Sequence, residues 1–212
     1  MTKDYQYILF DWDGCLANTL PIWLAAYKEV CSAYGVYPSD EEIIKKAFGD
    51  WQAEKKFGIS DHDGFVQQLR AFVLPKLPAA PLHTGVKETL IKLAKSHKLA
   101  IITSSRKENL TPALKLNEIE DLFIAVITTE DLKHDKPDPE GIEKALEKLR
   151  GNKAQAIIIG DSIKDITAGK NAGITTAVFY PEANHALYTR DFIEIFKADY
   201  IMTDLKELEN IV

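Results

Sequence analysis

The chain has 212 residues, of which 46% are hydrophobic and 27% charged, with a formal net charge of −6. That balance fits a soluble globular protein with a sizeable core and argues against nucleic acid or an anionic membrane as the main partner. Only Cys15 and Cys31 are present, no run is apolar enough to cross a bilayer, and Met1-Thr2-Lys3-Asp4-Tyr5 has no leader pattern, so a reducing, cytoplasmic setting without disulfides is expected.

Tyr7–Phe10 is an apolar run that reads as a buried strand and stops abruptly at Asp11, Asp13 and Gly14. The next stretch holds helical patterns and no convincing strand: Leu20–Tyr34, Asp40–Phe48 and Asp61–Leu74. Asp40, Glu41 and Glu42 load acid onto a first turn, where the helix dipole favours it. Pro75, Pro78 and Pro81 then punctuate the chain, and an α/β alternation resumes. Strands are predicted at Leu99–Thr103, Ala125–Thr128, Ala156–Ile159 and Thr175–Phe179, with helices at Val86–Ser96, Pro139–Leu149 and Ile163–Ala172. A weaker strand at Tyr200–Met202 precedes a last helix at Leu205–Glu209. The strands are continuously apolar, as burial on both faces requires. The expected fold is an α/β, Rossmann-like parallel sheet with helices on both faces (residues 1–17 and 82–212), interrupted by an inserted all-helical cap (residues 18–81).

Four strand ends carry polar chemistry. Asp11 and Asp13 repel each other unless a cation or a proton intervenes, so they suggest metal binding or acid–base work. Gly14 allows a tight turn whose N–H groups can hold an anion. The second strand end presents Thr103, Ser104 and Ser105, whose hydroxyls suit phosphate oxygens or a helix N-cap. The third is Lys136, ahead of Pro137, a cation able to neutralise a phosphate or an aspartate. The fourth is Gly160-Asp161, with Asp165 one helical turn further on. Hard cations such as Mg2+ take carboxylate oxygens of this kind. Helix capping would account for Asp161 alone and leaves Asp165 unexplained.

Together these motifs resemble the haloacid dehalogenase superfamily: Asp11-x-Asp13-Gly14-x-Leu16-x-x-Thr19, then Thr103, then Lys136-Pro137, then Gly160-Asp161-x-x-x-Asp165. The helical insert looks like the cap of the phosphoglycolate phosphatase and β-phosphoglucomutase branch. The resemblance implies a Mg2+-dependent phosphatase acting on a small phosphorylated metabolite, as monomer or homodimer. Asp11 would be the nucleophile that forms an aspartyl-phosphate, and Asp13 the acid and base. The metal would be held by Asp11, the backbone carbonyl of Asp13 and Asp161, with Asp165 in support or ligating through water. Thr103, Ser104 and Lys136 would bind phosphate, together with Trp12 and Gly14 in the first turn, the Trp12 side chain itself being packing. Dehalogenases lack an acid at the position of Asp13. A mutase of this branch carries a cap histidine just after the first motif, where this chain has Trp23. A phospho-receiver domain would share paired acids, Thr and Lys, but not the helical insert or Asp13. For substrate reading, Gly49 and Trp51 in the loop between two cap helices, and Arg106 beyond the second motif, are the candidates.

Overall fold

The computed structural model describes residues 4–48 and 52–212. Its centre is a parallel sheet of six strands: β1 Tyr7–Phe10, β2 Lys98–Ile102, β3 Phe123–Ile127, β4 Ala156–Gly160, β5 Thr175–Phe179 and β6 Tyr200–Met202. The order is β3-β2-β1-β4-β5-β6. Tyr7 is level with both Lys98 of β2 and Ala156 of β4, so the strands flanking β1 end at nearly the same height. The direction of winding reverses at β1, and the crevice beyond the carboxyl ends of strands at such a reversal is where open α/β sheets bind ligands.

β1 buries both its faces, and its residues alternate between two cores, as a period of two dictates. Ile8 and Phe10 join Val86, Leu90, Leu110, Leu205 and Leu208 on one side. Tyr7 and Leu9 join Ile142, Leu146, Leu149 and Ala168 on the other. The covering helices are α5 Val86–Leu93, α6 Lys107–Leu116, α7 Glu140–Leu149 and α8 Ile163–Ala172. α6 escaped the sequence reading because Pro112 sits within it and obscures the pattern. α9, Arg190–Glu194, is too short to show a period, and residues 205–210 form a 3-10 turn rather than the expected α-helix.

Between β1 and α5 lie α1 Leu20–Ala33, α2 Asp40–Lys46, the short α3 Ala53–Lys56 and α4 His62–Val73. α2 starts on a capping box, with Ser39 and Glu42 satisfying each other's backbone N–H groups. This helical unit has a core of its own, built on Tyr27, Val30, Ile43, Phe65, Leu69 and Val73. The outgoing and returning chains meet: Asn18 N–H donates to the Pro81 carbonyl at 2.8 Å, and Ala17 bridges Leu82 antiparallel. Among the described residues no helix is long and apolar enough to cross a membrane, and Cys15 and Cys31 are buried free thiols.

Candidate active site

The first turn is clamped from several sides. Asp11 N–H donates to the Ile159 carbonyl at 2.9 Å, which extends the β1–β4 ladder by one residue and sets the carboxylate at the sheet edge. Gly14 has φ +79°, and a Cβ there would lie 2.5 Å from Asp161 Oδ2, so both its conformation and its surroundings require glycine. The Gly14 carbonyl accepts from Asn184 Nδ2 at 2.9 Å and faces His83 Nε2 at 3.2 Å. Burial holds His83 below the usual histidine range, which keeps the ring neutral and suits Nε2–H as the donor to that carbonyl. The predicted anion contact through Gly14 N–H is corrected here: that group donates to the Ala17 carbonyl at 2.9 Å and is spent within the turn. The Trp12 side chain packs in the core. The backbone N–H groups of Trp12 and Asp13 have no hydrogen-bond partner among the described residues and remain available at the sheet edge.

Lys136 links three motifs. Its ammonium donates to Asp11 Oδ1 at 2.6 Å, to Asp165 Oδ1 at 2.5 Å and to the Ile102 carbonyl at 3.2 Å. Burial alone would lower the lysine pKa, but the two carboxylates more than reverse this and hold it charged. The second oxygen of Asp165 accepts from Ser162 N–H at 3.1 Å and Ser162 Oγ at 2.6 Å, a capping box that starts α8. Capping is therefore the task of Asp165 and not of Asp161, against the helix-cap alternative for Asp161, while the second contact of Asp165, to Lys136, agrees with the supporting place expected for it. Asp165 has both oxygens engaged, so it serves as a positioning residue.

Whether these residues suit a metal can be asked of their charges. Carboxylate oxygens of Asp11, Asp161 and Asp165 all lie within 4.8 Å of one another, and all three residues are buried. Burial first, and the Asp165 charge second, raise Asp11 from 3.8 to about 7. Burial, then Asp11, push Asp161 well above the carboxylate range. One lysine thus leaves this acid cluster short of positive charge. Asp11 and Asp161 offer the hard oxygen donors that Mg2+ takes, so the residues fit such an ion.

Asp13 turns away from this cluster. Its Oδ2 accepts from Ser105 Oγ at 2.5 Å, and its Oδ1 from Trp23 Nε1 at 3.4 Å. Thr103 continues β2 by donating its N–H to the Ile127 carbonyl at 3.0 Å, and its Oγ1 accepts from Ser105 N–H at 3.0 Å. Asp11, Asp13, Thr103, Ser104, Lys136 and Asp161 all line one cavity of about 220 Å³. Arg106 lies in a neighbouring cavity with Arg70, which pairs with Glu108 at 2.9 Å. Gly49 and Trp51 fall outside the described residues. Sequence reasoning missed Trp23 and Ser105 as holders of Asp13, and His83 and Asn184 as holders of Gly14. Ser105 adjoins the named Thr103-Ser104 pair and could have been found. His83 and Asn184 stand 69 and 170 residues from their partner and carry no local signal.

Residues 8–179 match the family model described as haloacid dehalogenase-like hydrolase. The chain belongs to that family. Among relatives, a pyrophosphatase PpaX of Bacillus velezensis is 31% identical over 213 residues, covering 99% of this chain and 97% of its own. Another from Halalkalibacterium halodurans is 29% identical, covering 97% and 95%. Among solved structures, a candidate phosphoglycolate phosphatase from Lactobacillus plantarum has a TM-score of 0.86 at 25% identity over the whole of both chains. A candidate β-phosphoglucomutase from Thermotoga maritima, at 22% identity, TM-score 0.74 and coverage of 98% and 100%, shares the fold. The relatives carry phosphatase names, and the chain is an enzyme of this hydrolase family with a Rossmann-like core and a helical cap.

Proposed function

We propose that this enzyme is a Mg2+-dependent phosphatase that hydrolyses a small phosphorylated metabolite through an aspartyl-phosphate. The observation that carries the reading is the division of labour between the two acids. Asp11 is held by Lys136 beside Asp161, whereas Asp13 is held by Ser105 and Trp23, two groups away from the acid cluster. Residues 1–17 and 82–212 form the catalytic core, and residues 18–81 cap it and exclude water. The free buried thiols suit a cytoplasmic compartment.

In this reading Asp11 and Asp161, with the backbone carbonyl of Asp13, hold Mg2+, which when bound offsets the repulsion between a carboxylate and a phosphate and stabilises developing charge. Thr103 and Ser104, with the N–H groups of Trp12 and Asp13, bind the oxygens that do not leave, while Lys136, whose three donors go to Asp11, Asp165 and the Ile102 carbonyl, holds Asp11 in place beside them. An Asp11 oxygen attacks phosphorus, the bond from phosphorus to the leaving oxygen breaks, and Asp13 gives that oxygen its proton. Asp13 then takes a proton from water as the water oxygen attacks the same phosphorus. Phosphate departs and the Asp11 carboxylate returns. Hydrolysis is preferred to mutase transfer because Trp23, an N–H donor to Asp13, stands where the mutase branch has its histidine.

The test is a Mg2+-dependent phosphate-release screen over phosphorylated metabolites, with pyrophosphate and 2-phosphoglycolate included because relatives carry those names. Asp11→Asn should lose turnover by at least about a thousandfold with its fold intact, and Asp13→Asn should form phosphoenzyme slowly and stall. Substantial phosphate release by Asp11→Asn would remove it as the nucleophile.

A further inference from the structure

The cavity over the acids has an apolar wall. α1 contributes Trp23, α2 and the turn beyond it contribute Ile44 and Phe48, Ile163 follows Asp161, and the segment after β5 adds Tyr188 and Phe192. Ile163 leaves 44% of its surface uncovered at the very edge where the acids sit. Phe192 stacks on Tyr188 with ring centres 5.6 Å apart and 16° between planes. Apolar surface left open beside a reaction site carries a hydration cost that a fitting ligand removes.

Asp13 decides which way the leaving group points. Its Oδ1 accepts from Trp23, a member of the apolar wall, so the oxygen it protonates leaves beside that wall. Arg70 and Arg106 line a separate cavity that shares only Trp23 and Ser105 with the first and is not bordered by Asp13. The lysines at the first cavity are already committed. Lys136 holds Asp11 and Asp165, Lys45 pairs with Glu41 at 2.6 Å, and Lys164 has a partner as well. An anionic leaving group would lose its water among aromatic and aliphatic side chains without gaining a free cation among the described residues.

We infer that the substrate is a phosphate monoester whose leaving alcohol carries a flat, largely apolar ring that lies against Trp23, Ile163 and Phe192. This rests on the phosphatase reading above and narrows it. The ring belongs either to the base of a nucleoside monophosphate or to a simple aryl alcohol, since both present the same planar face to aromatic side chains.

Binding separates this inference from the chemistry. The Asp11→Asn enzyme, saturated with Mg2+, is titrated calorimetrically with a purine nucleoside 5′-monophosphate, 1-naphthyl phosphate, 2-phosphoglycolate and pyrophosphate. At least one ring-bearing ligand should bind tenfold or more tightly than both small anions, a difference of about 1.4 kcal/mol. Preference for both ring ligands assigns the pocket to the ring alone, and preference for the nucleotide only assigns it to the nucleoside. Phe192→Ala should cut the preference at least threefold. Ile163→Ser should do the same at an exposed position where folding is not at stake. Small anions binding as tightly as the ring ligands, or a preference untouched by both substitutions, would overturn the inference. Ring preference in binding, combined with no turnover of any of the four by the wild-type enzyme, would instead overturn the phosphatase reading and leave the pocket standing.

Discussion

Titrating Mg2+ into the metal-free enzyme at two pH values, and following the thermal midpoint, reads the acid cluster without any substrate. In the metal-free state burial, then the Asp165 charge, moves Asp11 from 3.8 to about 7. An acid whose pKa is higher in the folded than in the unfolded chain makes the folded chain keep the extra proton between those two values. Stability contributed by that proton is present below the window and is lost as pH rises through it. For Asp11 alone the displacement corresponds to about 4 kcal/mol at most, and Asp161 adds to it in the same direction. A divalent cation acts with the opposite sign, because it binds the deprotonated carboxylates. At free Mg2+ about a hundredfold above its Kd, the gain is roughly 2.7 kcal/mol. In a chain of this length that raises the midpoint by roughly 5–10 °C.

The expected result is a large Mg2+-induced rise at pH 8 and less than half of it at pH 5.5, where Asp11 holds its proton. Asp161→Asn should erase most of the rise and stabilise the metal-free enzyme at pH 8, since it replaces a buried carboxylate with a neutral group of the same shape. Equal rises at the two pH values, or none at pH 8, would refute the assignment of these acids to a cation.

Gly14→Ala should cost about 1–3 kcal/mol in urea unfolding, because φ is +79° and the new methyl would press on Asp161; an unchanged midpoint would contradict this. Lys136→Met leaves Asp11 and Asp165 buried without their ammonium, and the loss should be about 3–5 kcal/mol at pH 8. It should be smaller at pH 5.5, where Asp11 holds its proton. Ser105→Ala removes the 2.5 Å hydrogen bond to Asp13 and should lower kcat roughly tenfold with little change in the thermal midpoint. A raised KM at normal kcat would assign Ser105 to substrate binding instead.

What was readable in the chain divides by the distance over which the signal acts. Tyr7–Phe10 and Ala156–Gly160 announce themselves because a strand buried on both faces must be apolar throughout, and the acids that follow mark its carboxyl end. The return to the α/β pattern is legible because Pro75, Pro78 and Pro81 coincide with a change of period, and near Pro81 the outgoing and returning chains meet. For Asp165, support and ligation through water both stayed open, because a residue four beyond Asp161 satisfies ligand spacing and capping spacing equally. Only the Ser162 hydroxyl, at 2.6 Å from its oxygen, distinguishes them. Asn184 holding Gly14 is a contact made entirely by the fold.

The Ser162–Asp165 capping contact explains how the proposed nucleophile is positioned. The start of α8 requires Asp165 to face back toward Ser162, which leaves its other oxygen directed at Lys136. Lys136 then reaches across to Asp11. A helix cap, a buried lysine and the proposed nucleophile are thereby fixed in series, with no exposed link that solvent could loosen. The lysine neutralises one charge, whereas the remaining repulsion between Asp11 and Asp161 would, in the proposed reading, be offset by a divalent cation. Had the cluster been fully neutralised by protein groups, a cation would gain nothing by binding and an incoming phosphate would meet no unmatched positive charge. In the proposed reading, the residual negative charge of the metal-free site makes cation binding, and with it catalysis, a condition that the environment can set.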